Sequence, residues 1–428
     1  MNWGLTLALF APWFVHTITD EGKYGPMLFL DPTGNPVILY RDTLGTEKPI
    51  RRRWQGSAWV TDTIPFVPRG ASLWAALDSS GHLHLVTIPP TDDTLFLASE
   101  TDTGWRYYTY IPEDHGFPLS FFTYAFTVSP QGNPHFILGV SYLGDTMAHV
   151  WMEGDTWSKE IFCSDTDTLC SFLGDMRFDG EGNLHLAMES VVPHLLWYGL
   201  RDSSGWRMEL VDPMGDEGGD FCFSLCEINV DWWGTPRIHY WPYYENIVAY
   251  RNKYAERTLY GWVVEFTGLG GILITSNYAV TPDSVVHVIS PHNDGTLWHA
   301  IRKGLNEWEE VEFIAPGIWP TCLTSDQNGY LHFVCHESIL HPEKYRYITN
   351  NPTIGVSESH TASRQSLVLQ MASGGFWITG YSGEAQIYDP AGRLVLSRKI
   401  RDKILISPLK PGVYFVVAGK QRTRIAIR

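Results

Sequence analysis

The chain has 428 residues, a formal net charge of −16 and 14% aromatic residues, with only 18% charged residues. A charge this negative argues against nucleic-acid binding and against attraction to an anionic membrane surface. No apolar run is long enough to span a bilayer. Many aromatic and few charged residues favour an all-β chain of short strands.

The charge is unevenly distributed along the chain. Residues 357–428 carry 11 Lys/Arg against 4 Asp/Glu, a net of +7, which leaves −23 for residues 1–356. Two modules of opposite charge are the simplest interpretation. We therefore predict a large domain over residues 13–350, a linker over 351–365 and a small domain over 366–428.

Residues 1–12, MNWGLTLALFAP, resemble the apolar core of a signal peptide. They lack the basic start and the small-residue cleavage site of a complete leader. Two interpretations stay open for this stretch, a truncated leader or an extra strand.

One unit recurs about every 50 residues from there on. In residues 72–108 it reads SLWAALDSSGHLHLVT and then LFLASETDTGWRYY, which indicates four short strands without helical periodicity. The turn between its first two strands occurs seven times, beginning at Asp31, Asp78, Ser129, Asp179, Asp231, Thr281 and Asp326. An acidic or hydroxyl side chain followed by Gly suits such a turn, because the first bonds nearby backbone and Gly accepts a positive φ.

The Trp of the fourth strand occurs only six times, at Trp59, Trp105, Trp157, Trp206, Trp262 and Trp308. The seventh copy lacks it, whereas residues 13–18 have the pattern and precede the first copy. A ring whose last sheet uses both ends of the domain explains this offset. We predict a seven-bladed β-propeller closed by an N-terminal strand, with each Trp filling the outer gap between blades.

The unit resembles a widespread extracellular propeller repeat of the form W-x-x-x-T-V…G-x-Y-x-S-L-A-L-D-x-x-G-N-P-H-I-x-Y. Residues 13–40 match it through Trp13, Gly22, Tyr24, Asp31, Gly34, Asn35 and Pro36. The resemblance implies the fold, and it implies little about activity.

Residues 366–428 contain five short strand patterns, which indicate a small β-sandwich. Ile387-Tyr388-Asp389, Gly392 to Val395 and Leu409 to Phe415 resemble the type A C-terminal sorting domain of the type IX secretion system, although its usual Pro-Asn-Pro is missing before Leu367. The resemblance implies export through the outer membrane, with the secretion machinery as a partner and an extracellular or cell-surface location.

A histidine recurs in the second strand, at His84, His135, His185, His239, His287 and His332. Because it occurs once per repeat, we interpret it as a structural device that bonds a neighbouring strand or turn. His82 and His84 have the spacing of zinc ligands on one strand face, but the sequence offers no third ligand, so we predict no metal and no cofactor.

The six cysteines permit several pairings in an exported protein. Cys322 and Cys335 would face each other if the turn at Asn328-Gly329 closes their hairpin. Cys170 and Cys222 occupy matching places in adjacent blades. The rival pairing is Cys163–Cys170 with Cys222–Cys226, and reduced, buried thiols are the remaining alternative.

Candidate ligand-binding residues gather in loops on the face where the first strands begin. Flat aromatic rings beside carboxylates suit sugars, because rings stack on C–H faces and carboxylates accept hydroxyl hydrogen bonds. An ordinary acidic rim is the competing interpretation. The residues are Trp241, Tyr243, Tyr244, Trp319, Phe117, Asp114 and Asp216.

We therefore expect an exported binding or surface-interaction propeller, with a glycan or a surface protein as its partner. The alternative is a polysaccharide lyase or glycosidase with its site at the channel mouth. Asp175 and Glu227 would then be the carboxylates and Arg177 the charge-neutralising group. An open pocket uniting these three would favour the enzyme, whereas a structural ion pair would argue against it.

Overall fold

The computed structural model describes residues 13–354 and 368–427. The gaps are 20–21, 43–47, 66–71, 89–93, 116–121, 140–146, 164–170, 191–194, 214–225, 232, 241–251, 268–276, 292–295, 317, 339–340, 373–374, 380–382, 389–393, 401–402, 407–411 and 419–420. The chain divides into two compact units, residues 1–357 and 358–428.

The first unit contains seven antiparallel four-stranded sheets, the blades. Blade 1 consists of β2 (Gly22–Leu30), β3 (Pro36–Asp42), β4 (Pro49–Trp54) and β5 (Trp59–Thr63). Blade 2 consists of β6 (Ser72–Leu77), β7 (Leu83–Ile88), β8 (Leu95–Thr101) and β9 (Gly104–Tyr110). Blade 3 consists of β10 (Phe122–Val128), β11 (Pro134–Gly139), β12 (Met147–Glu153) and β13 (Thr156–Cys163). A short 3₁₀ helix, Pro112–His115, follows blade 2.

Blades 4 to 6 have the same strand order. Blade 4 consists of β14 (Ser171–Phe178), β15 (Leu184–Ser190), β16 (Leu195–Asp202) and β17 (Gly205–Asp212). Blade 5 consists of β18 (Cys226–Val230), β19 (Pro236–Tyr240), β20 (Lys253–Thr258) and β21 (Gly261–Phe266). Blade 6 consists of β22 (Asn277–Val280), β23 (Val286–Pro291), β24 (Thr296–Gly304) and β25 (Glu307–Pro316).

Blade 7 joins the two ends of the propeller and confirms the predicted closure. Its strands are β26 (Ile318–Ser325), β27 (Leu331–Ser338), β28 (His341–Thr349) and, at its outer edge, β1 (Phe14–Thr19). Phe14 pairs with Thr349 and His16 with Tyr347 in antiparallel register. The fold is therefore all-β with seven blades, as the offset between seven turns and six tryptophans predicted.

The seven recurring turns share one hydrogen-bonded geometry. In the first, the Asp31 amide donates to the Asn35 carbonyl and the Gly34 amide donates to the Asp31 carbonyl, and the same two bonds recur in every blade. Gly34 has a φ of 82°, and Ser284 takes the equivalent position in blade 6 with a φ of 65°. A Cβ on Gly81 would lie 2.9 Å from Pro32 Cδ, so adjacent turns pack against one another.

The second-strand histidines connect these turns to the third strands. His185 Nδ1 lies 2.7 Å from the Tyr198 hydroxyl, and His185 Nε2 lies 3.2 Å from the turn carboxylate of Asp179. His332 makes the corresponding contacts to Tyr347 and Asp326. These contacts confirm the structural interpretation of the repeated histidine.

His239 does not belong to this series. The equivalent position in blade 5 is Arg237, whose guanidinium lies 3.0 Å from the turn carboxylate of Asp231 and 3.1 Å from Glu256. An ion pair thus replaces the histidine contact in this blade. His239 is fully buried two residues further on.

The fourth-strand tryptophans pack between neighbouring blades, as predicted. The Trp262 ring of blade 5 lies 5.0 Å from the Tyr198 ring of blade 4, and the Trp308 ring of blade 6 lies 5.7 Å from the Tyr254 ring of blade 5. Trp59 of blade 1 meets Tyr347 of blade 7 at 5.3 Å across the closure. Aromatic edge-to-face contacts of this length stabilise the pair beyond the area they bury.

The predicted cysteine pairings that the structure describes are wrong. Cys226, Cys322 and Cys335 do not take part in a disulfide. The β26–β27 hairpin pairs Cys322 with Val334, one residue away from the expected register, and a one-residue shift turns a side chain to the other face of the sheet. Pairing of Cys170 with Cys163 or Cys222 lies outside the described residues, as does the side chain of Cys163.

The second unit contains two sheets. The first joins β29 (Val368–Ala372), β30 (Gly375–Thr379) and β33 (Lys403–Ile406), and the second joins β31 (Gly383–Tyr388), β32 (Leu394–Ile400), β34 (Gly412–Ala418) and β35 (Gln421–Ile427). Phe376, Ile387 and Val416 are buried in it. The first residues of the predicted linker pack on the propeller instead, since Asn351 bonds Asp326 and Ile354 is buried.

Candidate functional site

The inner strands of all seven blades surround a central cavity of about 510 Å³. Its lining comes mostly from the second halves of these strands, toward the face that carries the seven turns. The lining residues are Leu28, Phe29, Leu30, Ala76, Leu77, Thr127, Asp175, Arg177, Glu227, Ile228, Asn229, Tyr278, Cys322, Leu323, Thr324 and Ser325. The cavity thus unites the three residues of the alternative enzymatic hypothesis.

Strand alternation places the polar groups in this cavity. Asp175 and Arg177 are two residues apart in β14, and Glu227 and Asn229 are two residues apart in β18, so each pair shares one face of its sheet. Because blades 4 and 5 are adjacent in the ring, the two pairs lie on neighbouring walls of the channel.

Asp175 is held by three contacts. Arg177 Nε lies 3.5 Å from Asp175 Oδ2, the Ile228 amide donates to the same oxygen at 3.1 Å, and the Met176 amide donates to Oδ1 at 2.9 Å. Burial raises the pKa of Asp175, and the Arg177 charge opposes that rise. Asp175 therefore links blade 4 to blade 5 and orients Arg177.

Glu227 lies apart from this ion pair. Its Oε1 accepts a hydrogen bond of 2.7 Å from the Asn277 side chain. Burial raises the pKa of Glu227 to about 7, and the negative charge of Asp175 adds to the effect. A carboxyl group with this pKa can accept or donate a proton near neutral pH.

Several polar groups in the cavity are unpaired among the described residues. Arg177 forms an ion pair with Asp175 through Nε, its two terminal nitrogens make no hydrogen bond to the described residues, and its side chain is 55% exposed. The side-chain amide of Asn229 also makes no hydrogen bond to the described residues. Arg177 and Asn229 thus present hydrogen-bond donors to whatever enters the channel.

Tyr278 belongs to the site, and the sequence analysis missed it. Its hydroxyl donates to the Arg237 carbonyl at 2.6 Å, and burial raises its pKa well above the ordinary value. It is the second residue of a four-residue strand, too short to show a periodic pattern. It lies one repeat after the apolar Ile228, so the repeat carries no signal for a polar group at this position.

Most of the predicted ligand-binding residues cannot be placed. Trp241, Tyr243, Tyr244, Phe117 and Asp216 lie outside the described residues. Asp114 is exposed in the short 3₁₀ helix. Trp319 falls on β26 rather than in a loop, and its side chain is not described.

His82 and His84 converge on one carboxylate rather than on an open metal position. His82 Nδ1 and His84 Nε2 lie 3.3 Å and 3.4 Å from Asp78 Oδ2. Among the described residues, no group of three or more His, Cys, Asp or Glu side chains could hold a metal ion. The described part of the chain also contains no helix long and apolar enough to cross a membrane.

Neither a protein-family model nor a curated protein matches the chain. Among solved structures, the polysaccharide lyase Uly1 is similar over 78% of this chain and 98% of its own, with a TM-score of 0.53 and 10% identity. A PL25 ulvan lyase bound to -[GlcA(1-4)Rha3S]- is similar over 77% and 95%, with a TM-score of 0.53 and 8% identity. The Aleuria aurantia lectin in complex with α-methyl-L-fucoside is similar over 70% of this chain and 98% of its own, with a TM-score of 0.42 and 11% identity. At identities this low, the two lyase matches establish a shared fold alone.

Proposed function

We propose that the protein binds a saccharide at the mouth of its central channel. The observation that carries the proposal is the set of unpaired donors on blades 4 and 5, namely the terminal nitrogens of Arg177 and the amide of Asn229. Asp175 orients Arg177 through the ion pair, so the guanidinium is held ready before a ligand arrives.

The cavity has the size and surface that a sugar requires. About 510 Å³ lies within the range of small-molecule sites, and planar polar groups stand beside apolar side chains such as Phe29 and Leu323. Arg and Asn donate to hydroxyl or acidic oxygens, and Glu227 offers an acceptor. Two solved structures that share the fold at a TM-score of 0.53 are polysaccharide lyases, which supports a saccharide as the ligand class.

Binding to an oligosaccharide panel tests the proposal. The panel includes the sulfated glucuronate–rhamnose repeat and neutral hexasaccharides. For the acidic saccharides of the panel, we expect Arg177→Ala and Asn229→Ala each to weaken binding by about tenfold or more, because each removes a donor that the bound state uses.

Arg207→Ala is the matched control, since Arg207 is similarly exposed but lies on an outer strand and pairs with Asp202. It should bind as the unchanged protein does. Equal binding by all of these proteins, or no binding to any sugar, would contradict a saccharide site in the channel.

A second candidate is a lyase acting on a uronate polysaccharide at the same place. The observation that favours it is the pKa of about 7 for Glu227, which lines the same open cavity as the cationic Arg177. Glu227 would take the proton on the carbon beside the sugar carboxylate, and Arg177 would neutralise that carboxylate. The C–O bond to the leaving sugar would then break to leave an unsaturated end, and Glu227 would return its proton to the leaving oxygen. Tyr278 is a poor base here, because burial raises its pKa and its hydroxyl donates a hydrogen bond to a backbone carbonyl.

Ultraviolet absorbance of unsaturated ends separates catalysis from binding. For a lyase, the rate should rise with pH through about 7 as Glu227 loses its proton, and Glu227→Gln should lower it by about a hundredfold or more. New reducing ends without unsaturation would indicate a glycosidase with Asp175 and Glu227 as its carboxylates. Binding without either product leaves the channel as a binding site alone.

We also propose that residues 358–428 direct export of the propeller to the outside of the cell. The support is the resemblance of Ile387 to Val395 and of Leu409 to Phe415 to a sorting domain. Removal of residues 358–428 should leave the propeller inside a bacterium that has the type IX machinery. Export of the truncated protein at the usual level would contradict the proposal.

A further inference from the structure

A second cavity lies away from the channel, in the groove between blades 4 and 5 on the face of the recurring turns. Its volume is about 930 Å³. Residues of the two turns line it, together with Tyr198, Glu209 and Arg257. The turn residues are Asp179, Gly180, Glu181 and Asn183 in blade 4, and Asp231, Trp233 and Gly234 in blade 5. None of these residues contributes to the channel cavity.

One residue on this rim is unusual. Trp233 is 80% exposed at the third position of the blade 5 turn. The same position in the other six turns holds small or polar residues: Thr33, Ser80, Gln131, Glu181, Asp283 and Asn328. The turn geometry therefore does not need an aromatic side chain here, and an indole left in water calls for another explanation.

The backbone that carries Trp233 is firmly held. Asp231 Oδ1 accepts hydrogen bonds of 2.9 Å from both the Trp233 and Thr235 amides. The other carboxylate oxygen pairs with Arg237, and a Cβ on Gly234 would lie 3.9 Å from Asp179 of blade 4. The turn backbone under the indole is therefore ordered before a ligand stacks on the ring, which limits the backbone entropy lost on binding.

Polar groups suited to hydroxyls surround the platform. Glu181 is exposed at the equivalent position of the blade 4 turn, and its carboxylate has no partner among the described residues. Arg257 forms two hydrogen bonds of 2.8 Å with Glu209, which hold both groups in one plane at the groove wall. The groove thus combines one flat apolar face with fixed planar acceptors and donors.

We propose that this groove is a second saccharide-binding site, in which a sugar ring stacks on Trp233 and its hydroxyls bond Glu181 and the Arg257–Glu209 pair. The site stands on its own observations and does not depend on the channel. Its volume of about 930 Å³ and its lining from two blades suit a neutral oligosaccharide chain rather than a single small molecule.

A cationic amine is the competing ligand, because an indole also binds cations and the groove contains carboxylates. The structure favours the sugar. Among the described lining residues, Trp233 is the only strongly exposed aromatic, whereas enclosure of an organic cation takes several rings. Asp179, Asp231 and Glu209 already have partners in His185, Arg237 and Arg257.

Calorimetric titration of the whole chain with cellohexaose, xylohexaose, mannohexaose and choline chloride tests the site. We expect binding of at least one hexasaccharide that Trp233→Ala weakens by about tenfold or more and that Arg177→Ala leaves unchanged. Glu181→Gln should cost little, because an amide still bonds hydroxyls, and added salt should have little effect.

Tyr260→Ala is the matched control, since Tyr260 is 99% exposed in the same blade but lies outside the groove. Three outcomes would overturn the proposal. They are undiminished hexasaccharide binding by Trp233→Ala, no hexasaccharide binding at all, and binding of choline that Glu181→Gln or salt abolishes. Loss of channel binding in Arg177→Ala with the groove site intact would separate the two sites.

Discussion

At the scale of single residues, histidine is used here as a neutral connector rather than as a charged or catalytic group. His135 Nδ1 lies 2.9 Å from His149 Nε2, and both rings are buried. Burial lowers the pKa of His135 to about 3, and burial likewise lowers that of His239 and of His287 to about 3. Each ring thus stays neutral in the folded protein while it would accept a proton in the unfolded chain.

Acid should therefore destabilise the propeller well above the range in which carboxylates titrate. A group whose folded pKa is about 3 costs stability as pH falls below the unfolded value of about 6.5, because the unfolded state then binds more protons. At pH 5 each such histidine should cost about 2 kcal/mol. Urea unfolding between pH 7.5 and 5 measures this fall.

His135→Gln provides the comparison for that measurement. It removes one titrating ring, so its unfolding free energy should change less steeply with pH than that of the unchanged protein. An identical slope would show that His135 titrates normally in the folded state.

Residue-level prediction worked where a residue repeats and failed where it does not. The repeated histidine could be assigned a structural role because its place is the same in the five blades that carry it. His239 was misassigned because a two-residue offset puts Arg237 in that place. Cys322 and Cys335 were wrongly paired because the hairpin register depends on whether its loop has two or three residues.

At the scale of strands and blades, the wedge between neighbouring sheets is filled by one tryptophan per blade. Trp262 stacks edge-on to Tyr198, and its Nε1 donates to Glu209 at 3.2 Å. Gly199 makes a similar contact possible in blade 4, where an added Cβ would lie 2.9 Å from Met208 Sδ and 3.0 Å from Trp206. The absence of a side chain at Gly199 thus leaves the space that Met208 and Trp206 occupy.

Trp262→Ala should lower the free energy of unfolding by about 3 kcal/mol, since it leaves a cavity between blades 4 and 5 and removes one of the hydrogen bonds that Glu209 accepts. Urea unfolding with a fixed slope measures the loss. Tyr260→Ala, at an exposed turn two residues earlier, should change it by less than about 0.5 kcal/mol. Equal effects of the two substitutions would remove Trp262 from the interblade core.

At the scale of the whole molecule, the ring explains which parts of the site could be predicted. The repeat fixed the inner strands, and strand alternation then placed Asp175, Arg177 and Glu227 in one channel. The pKa of Glu227 and its bond to Asn277 could not be foreseen, because both depend on which side chains of adjacent blades meet. The groove at Trp233 could not be predicted, because its aromatic residue stands in a tight turn, whereas the aromatic cluster of the sequence lies in long loops.

Removal of residues 1–19 should damage the ring far more than removal of residues 358–428. The first deletion takes away β1, exposes the edge of β28 and leaves Trp59 without His16, whose ring lies 6.2 Å away. We expect it to lower Tm by about 10 °C or more, whereas the second should leave propeller unfolding nearly unchanged. Similar thermal transitions in both truncated proteins would argue against closure as a main source of stability.

The pairing of Phe14 with Thr349 also governs the order of events during synthesis. During synthesis β1 must wait until β28 of the last blade has been made. Until then the backbone groups of β1 are unpaired, and another chain could bind them. Such distant pairing is slow, because the entropy of closing so long a loop is lost before any contact compensates for it. A nascent copy of this protein is therefore most prone to aggregate in the interval just before β28 is complete.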